Sequence, residues 1–145
     1  MPGEPPRAAE RLTQAELDRV LVRHEMFYAG RPGGRRAQLR GAKLGGLKLA
    51  RRDLHEADPS RARLDNADLR GADLGVLRLG GEMVRATSLD RASLRSADLR
   101  GADLRRATLR DAELARALCQ EARFDGCDLS LARTADALGL PRPSH

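Results

Sequence analysis

Aromatic residues are nearly absent from this chain of 145 residues, which contains two Phe, one Tyr and no Trp. Globular cores usually rely on large rings to fill their volume. Leucine and alanine must do so here, and that favours a narrow, uniform interior over a broad one. The length suits a single domain that is large enough to bury a core.

Cysteines and long apolar segments are also scarce. Cys119 and Cys127 are the only cysteines, so the chain has no disulfide framework and no CxxC metal-binding pair. Its first residues, MPGEPPRAAERLTQ, lack an apolar core of signal-peptide length, and no long apolar run follows. We therefore expect a soluble cytoplasmic protein that binds neither a cofactor nor a metal and does not enter a membrane.

Leucine recurs at every fifth position through most of the sequence. Steps of five from Leu39 to Leu129 meet leucine in fifteen of nineteen positions, and alanine dominates two residues before each step. A period of five would spiral around an α-helix and would alternate between the faces of a straight strand. Neither element buries these leucines together.

A chain that turns a corner in each pentad does bury them together. Alanine and leucine two residues apart point to one side of a short extended segment, and four corners close a coil of about 20 residues. Coils then stack at roughly 4.8 Å. The predicted core contains two sets of ladder positions: Leu44, Leu64, Val84, Leu104 and Phe124, and Leu49, Leu69, Leu89, Leu109 and Leu129.

Segments such as Ala67–Gly71 (ADLRG) and Ala97–Gly101 (ADLRG) resemble the A(D/N)LXX motif of the pentapeptide-repeat family. The resemblance implies an all-β solenoid, a right-handed quadrilateral β-helix of about five coils with an N-terminal α-helical cap. We divide the chain into a disordered tail (1–12), a capping amphipathic helix (13–34), the β-helix (35–134) and a short C-terminal cap or tail (135–145).

Both ends of a solenoid expose core and strand edges unless something covers them. Thr13 and Glu16 form a capping-box pattern before an amphipathic segment, which predicts a helix over the first coil. At the other end, Leu118 and Leu131 fall on outward positions, and Leu138 follows. Either a terminal turn folds back on them or a second molecule covers them, and a homodimer through the C-terminal coil is one such arrangement.

The net charge of +6 raises the question of nucleic acid binding. A 20-residue coil would stack Arg70, Asp90 and Arg110, and no face carries more than a slight basic excess. Binding to nucleic acid, which needs a clustered basic stripe, is therefore not favoured, and a weak electrostatic nucleic-acid binder is kept only as an alternative. Some members of the family modulate DNA gyrase by mimicking duplex DNA with an acidic rod; the positive charge here disfavours that activity but leaves it as an alternative.

Departures from the repeat mark candidate sites. Pro59 takes a core position without an N–H, which removes one ladder bond, and Arg52 and Glu82 take inward alanine positions. The pair Gly80-Gly81 would allow a bulge that turns Glu82 outward. Val76 and Met83, in the same irregular stretch, are the apolar candidates for contact with a partner, together with Leu118, Leu131 and Leu138.

Catalytic motifs are missing. No HExxH, Walker A, GxGxxG or GxSxG pattern occurs, and the histidines are scattered at His24, His55 and His145. The aspartates occupy the outward slot before each leucine, where a surface role is expected. The sequence thus predicts a non-enzymatic scaffold that binds another protein of unknown identity.

Overall fold

The computed structural model describes residues 11–75, 77–79 and 82–141, with only the backbone described for the strand residues within 77–85. Regular elements are few. Helix α1 spans Gln14–Tyr28, and strands β1 (Leu77–Leu79) and β2 (Glu82–Arg85) form a hairpin. The rest of the described chain consists of short bridges and turns that repeat with the pentad.

Each pentad ends in a tight turn. At one of these corners, the Ala67 N–H donates to the Leu64 carbonyl at 3.0 Å, and Asn66 between them has a φ of 61°. Equivalent positions hold Gly71 and other residues with positive φ. A positive φ at the third residue of a turn is the feature that lets the chain bend sharply and resume an extended course.

The short extended segments stack in parallel on four sides. Bonds from Leu44 N to Arg63 O (2.8 Å) and from Leu49 N to Asp68 O (2.8 Å) join segments about one coil apart in sequence. Leucine and alanine form one continuous core, in which most side chains are fully buried. Each buried leucine contributes on the order of 2 kcal/mol to stability.

One coil is longer than the others. Lys43 pairs with Arg63 one coil later, but Arg63 pairs with Ser93, a step that is longer by two pentads. Asp68 with Asp98 and Asp73 with Asp103 show the same longer step. The additional residues contain the antiparallel hairpin, in which Leu79 lies opposite Glu82. The hairpin therefore interrupts the solenoid between Leu74 and Thr87, and the repeat resumes in register after it.

This insertion corrects the predicted core ladders. The prediction for Val84 is wrong, because this residue lies in β2 and not in a coil. The longer step also changes which leucines lie above one another. The observed columns are Leu39, Pro59, Leu89, Leu109 and Leu129; Leu44, Leu64, Leu94 and Leu114; Leu49, Leu69, Leu99 and Cys119; and Leu54, Leu74, Leu104 and Phe124.

Pro59 lies buried in the first of these columns. Asp58 before it has a φ of 48°, and Leu39 N donates to Ala57 O, one residue earlier than the pattern of the other sides. No β-bridge of the described segments joins Asp58 to its neighbours. The missing N–H of proline thus loosens the ladder on this face.

Helix α1 lies against the first coil. The predicted capping box is present, with Thr13 N donating to Glu16 Oε1 at 3.0 Å and Glu16 N donating to Thr13 Oγ1 at 3.1 Å. Leu17 and Leu21 are fully buried and belong to the solenoid core. The helix ends at Tyr28, so the remainder of the predicted 13–34 segment is a loop.

The expectation of a disordered tail fails at residues 11 and 12. Arg11 forms a parallel bridge with Lys43, and Leu12 N donates to Lys43 O. Leu12 is only 2% exposed, because its apolar side chain joins the core beside α1. The rest of the predicted tail, residues 1–10, lies outside the described part of the chain.

Candidate functional site

The predicted partner contacts fall into two groups. Val76 is outside the described residues, and Met83 lies in β2 of the hairpin. Leu118, Leu131 and Leu138 lie in the last two coils. The structure therefore brings the last three toward one end of the rod and places Met83 on the insertion.

Leu131 is the most exposed large apolar side chain among the described residues, at 79%. It occupies the corner position with a φ of 60°, where the other non-glycine residues with positive φ are polar or charged. A bulky residue in this conformation is unusual and strained. Packing within the described chain does not explain a leucine here.

Leu118 and Leu138 form a second apolar feature at the same end. They pair by a parallel bridge, and Leu138 is 52% exposed. The equivalent ladder positions in the preceding coils hold Asp68 and Asp98. Apolar side chains thus replace charged ones on this side as the last coil is reached.

The end of the core is itself incompletely covered. Phe124, Leu129 and Cys127 are only partly buried, whereas the leucines of the preceding coils are fully buried. The backbone N–H groups of Leu129 and Leu131 have no acceptor among the described residues. Unpaired ladder groups of this kind are available to another strand.

Three arginines of the rod, Arg70, Arg100 and Arg105, pair with an aspartate of their own pentad. Arg100 binds Asp98 through two bonds of 2.8 and 2.6 Å, and Arg105 binds Asp103 through bonds of 3.0 and 2.8 Å. The same carboxylates accept the backbone N–H of these arginines. The hydrogen bonds from the Arg100 side chain hold the pKa of Asp98 below its ordinary value.

The predicted stack of Arg70, Asp90 and Arg110 is correct only in part. Arg110 N donates to Asp90 Oδ1 at 3.0 Å, as a coil of the usual length requires. Arg70 instead lies above Arg100, because the hairpin insertion comes between Arg70 and Asp90. Its guanidinium binds Asp68 of its own pentad.

A polar cavity of about 510 Å³ opens on the face that contains Pro59. We call it the arginine cavity. It is lined by four arginines, three aspartates and two serines: Arg40, Arg61, Arg91, Arg110, Asp58, Asp90, Asp111, Ser60 and Ser88. Sequence reasoning missed it, because coils of uniform length do not place Arg61 beside Arg91.

His55 joins two coils at the base of the hairpin. Its Nε2 lies 2.9 Å from Asp73 Oδ2, and its Nδ1 lies 2.8 Å from the Gly75 carbonyl oxygen. The hydrogen bond to Asp73 raises the pKa of His55 to about 9, against the opposing effect of burial. Asp53 and Asp73 are one regular coil apart in the sequence, so their stacking beside His55 could have been predicted from the spacing.

Arg52 stands where the repeat usually has an inward-facing alanine, and contacts with α1 explain how its charge is accommodated. Its Nε donates to Glu25 Oε1 at 2.9 Å, and its Nη1 lies 3.7 Å from Asp18 Oδ1. The guanidinium therefore reaches the helix instead of entering the core. Glu82, the other anomaly, lies in β2, so the expected bulge is a hairpin.

Both cysteines and His24 are largely buried. Burial raises the pKa of Cys119 to about 11 and that of Cys127 to about 12, so neither thiol is a ready nucleophile. His24 is buried and accepts the Ala37 N–H through Nδ1 at 2.9 Å. Within residues 11–75, 77–79 and 82–141, no group of three metal-ligating side chains occurs.

The helix content of the described chain also bears on membrane insertion. Helix α1 carries several charged residues, and no helix within the described ranges is long and apolar enough to span a bilayer.

Solved structures that are similar to this chain include pentapeptide repeat proteins. The chain is 30% identical to alr5209, a pentapeptide repeat protein of Nostoc PCC 7120, over 77% of this chain and 71% of that one, with a TM-score of 0.42. It is 27% identical to Rfr23, a pentapeptide repeat protein of Cyanothece 51142, over 70% of this chain, with a TM-score of 0.45. The chain covers only 56% of the length of Rfr23.

A third similar structure is HetL of Nostoc PCC 7120, a pentapeptide repeat protein involved in the regulation of heterocyst differentiation. It is 26% identical over 74% of this chain and 56% of its own length, with a TM-score of 0.39. No curated protein matches the sequence. The family model for pentapeptide repeats matches residues 46–75 and 87–130 in 8 copies, on either side of the hairpin. The chain belongs to the pentapeptide repeat family.

Proposed function

We propose that this protein is a non-enzymatic scaffold that binds protein through the C-terminal end of its rod. In this proposal the solenoid is a right-handed, four-sided β-helix of about five coils, and α1 covers its first coil. The partner that best fits the C-terminal end is a second copy of the chain.

The observation that carries the proposal is Leu131, an apolar side chain 79% exposed in a strained backbone conformation. Strain is retained where the surroundings or the function require it. Leu131 and Leu138 flank the partly buried core end formed by Phe124 and Leu129. A second molecule would bury all four side chains and give the unpaired N–H groups of the last coil their acceptors.

The energetics favour such a contact. Covering two exposed leucines alone contributes on the order of 2–4 kcal/mol before the loss of translational freedom. A symmetric dimer uses the same patch twice and so doubles this contribution. Helix α1 occupies the opposite end, which leaves the C-terminal end as the site of self-association.

DNA mimicry receives less support from the surface. Three of the ladder aspartates, Asp68, Asp98 and Asp103, are bound by arginines of their own pentads. A mimic of the phosphate backbone needs unpaired negative charge along the rod. We therefore do not extend gyrase modulation to this protein.

Sedimentation velocity over a range of concentrations tests the proposal. We expect the wild-type chain to be dimeric and Leu138→Asp to be monomeric, since the substitution would bury a carboxylate at the interface. Val22→Asp is a matched control, because Val22 is 50% exposed on α1 and Leu138 is 52% exposed. A monomeric wild type, or equal disruption by Val22→Asp, would contradict the proposal.

A further inference from the structure

The arginine cavity brings together three arginines that have no paired carboxylate among the described residues. Arg40, Arg61 and Arg91 all line it, and none has a carboxylate within salt-bridge distance in the described part of the chain. On two of the other faces, Arg70, Arg100 and Arg105 each bind an aspartate two residues earlier. Here the equivalent position before Arg40 is glutamine, Gln38.

The hairpin insertion creates this arrangement. Arg61 N donates to Asp90 O, and Arg91 N donates to Arg110 O, so Arg61 and Arg91 occupy equal positions in adjacent coils. Both have a positive φ, 59° and 61°. Like charges at neighbouring positions of a ladder are destabilising. With a coil of the usual length, Arg61 would instead lie beside Gly81.

The aspartates of the cavity offset this charge only partly. Asp58 accepts a hydrogen bond from Ser60 Oγ at 2.5 Å. Asp90 accepts the Arg110 N–H at 3.0 Å and lies 3.5 Å from its side chain. Asp111 is the third aspartate of the lining and forms no salt bridge with Arg91 among the described residues. Arg110 lies between Asp90 and Asp128, at 3.5 and 3.6 Å, so the positive charge that lacks a nearby carboxylate is that of Arg40, Arg61 and Arg91.

We propose that the arginine cavity is a binding site for an oxyanion, held by the guanidinium groups of Arg40, Arg61 and Arg91. Guanidinium groups present several N–H donors in a plane, which matches the oxygens of a phosphate or a carboxylate. Ser60 and Ser88 add hydroxyl groups to the lining. The loosened ladder at Pro59 leaves the room that the anion needs.

Asparagine can replace the corner arginines Arg61 and Arg91 without straining the backbone, as Asn66 indicates. It occupies the same corner position on the neighbouring side, with a φ of 61°. Arg61→Asn and Arg91→Asn are therefore expected to fold, which far-ultraviolet circular dichroism checks. Arg116→Asn is the matched control, because Arg116 has a φ of 62° and lies outside the cavity.

The test is a titration with inorganic phosphate and, separately, with acetate, followed by the arginine Nε–Hε signals in NMR spectra at constant ionic strength. Saturable shifts are expected for Arg40, Arg61 and Arg91. Arg91→Asn should weaken binding by about tenfold, and Arg116→Asn should leave it unchanged. Tighter binding of phosphate than of acetate would identify a dianion, and equal binding would identify a carboxylate-sized ligand.

Asp111→Asn provides an independent check, because asparagine keeps the shape and removes the competing charge. We expect this variant to bind phosphate several-fold more tightly. Shifts that affect Arg116 as strongly as Arg91, or no difference between phosphate and chloride, would overturn the proposal. These outcomes do not depend on whether the protein forms a dimer.

Discussion

We predict that the hairpin can be removed without disturbing the solenoid, because the repeat keeps its pentad phase on both sides of it. Replacing residues 76–86 with a single glycine leaves Leu74, Gly75, Gly, Thr87, Ser88 and Leu89 in sequence. The two leucines are then one pentad apart, as elsewhere in the repeat. The new glycine takes the corner position that requires a positive φ.

The expected effect on stability follows from the bonds beside the insertion. Leu74 N already donates to Asp103 O at 2.8 Å, and Leu89 N donates to Thr108 O at 2.7 Å, so both ladders are regular where the hairpin leaves and returns. Shortening the connection reduces the entropy of loop closure by up to about 2 kcal/mol. A two-stranded hairpin contributes little of its own. The free energy of unfolding should therefore stay equal or rise by about 0–2 kcal/mol.

Urea unfolding followed by far-ultraviolet circular dichroism measures this change. The matched control deletes residues 105–114, which shortens the chain by the same length and also preserves the pentad phase. It removes two fully buried leucines, Leu109 and Leu114. We expect the control to lose about 4 kcal/mol and to show a smaller m-value.

A loss of more than about 3 kcal/mol in the hairpin variant would refute the reasoning, because it would place the hairpin inside the cooperative core. Equal losses in the two deletions would have the same meaning. If the hairpin deletion variant keeps its stability, a loss of partner binding in that variant could be attributed to the missing hairpin and not to unfolding.

Three further outcomes follow from single side chains. Leu94→Ala should lower the free energy of unfolding by about 2–5 kcal/mol in urea denaturation, because Leu94 is fully buried. Its control, Arg95→Ala, lies at an exposed corner and should change the free energy of unfolding by less than about 0.5 kcal/mol. Thr13→Ala should cost about 1 kcal/mol and increase fraying of α1 in amide hydrogen exchange, since the capping box is lost. For His55, whose folded pKa is raised to about 9, stabilisation is complete below about pH 6.5 and is lost as the pH rises through about 9. Between about pH 6.5 and 9, the free energy of unfolding of the wild type should therefore fall by at most roughly 3 kcal/mol. The free energy of unfolding of His55→Gln should fall by less over the same pH range. Parallel pH profiles for the two proteins would argue against the His55–Asp73 contact.

The pentad phase made the local structure predictable. A period of five has one compact solution, so the inward leucines and the corners could be assigned from the sequence. The capping box at Thr13 and Glu16 was equally local. Such features depend on residues a few positions apart and do not require knowledge of the rest of the fold.

The register between coils could not be predicted in the same way. An insertion two pentads long keeps leucine at every fifth position on both sides. The leucine pattern in the sequence therefore does not reveal the insertion. Val84 therefore seemed to belong to a ladder, and Arg61 seemed distant from Arg91. Only hydrogen bonds between coils, such as Leu64 N to Ser93 O, reveal the longer step.

The pairing of aspartate with arginine inside one pentad has a consequence for how such a rod changes length. Because Asp98 and Arg100 satisfy each other, and so do Asp103 and Arg105, a duplicated or lost turn brings or removes its own counter-charge. Turns whose charges pair in this way can then be duplicated or lost with little electrostatic adjustment in neighbouring turns. Self-neutralised modules of this kind permit evolutionary growth and shrinkage of the solenoid.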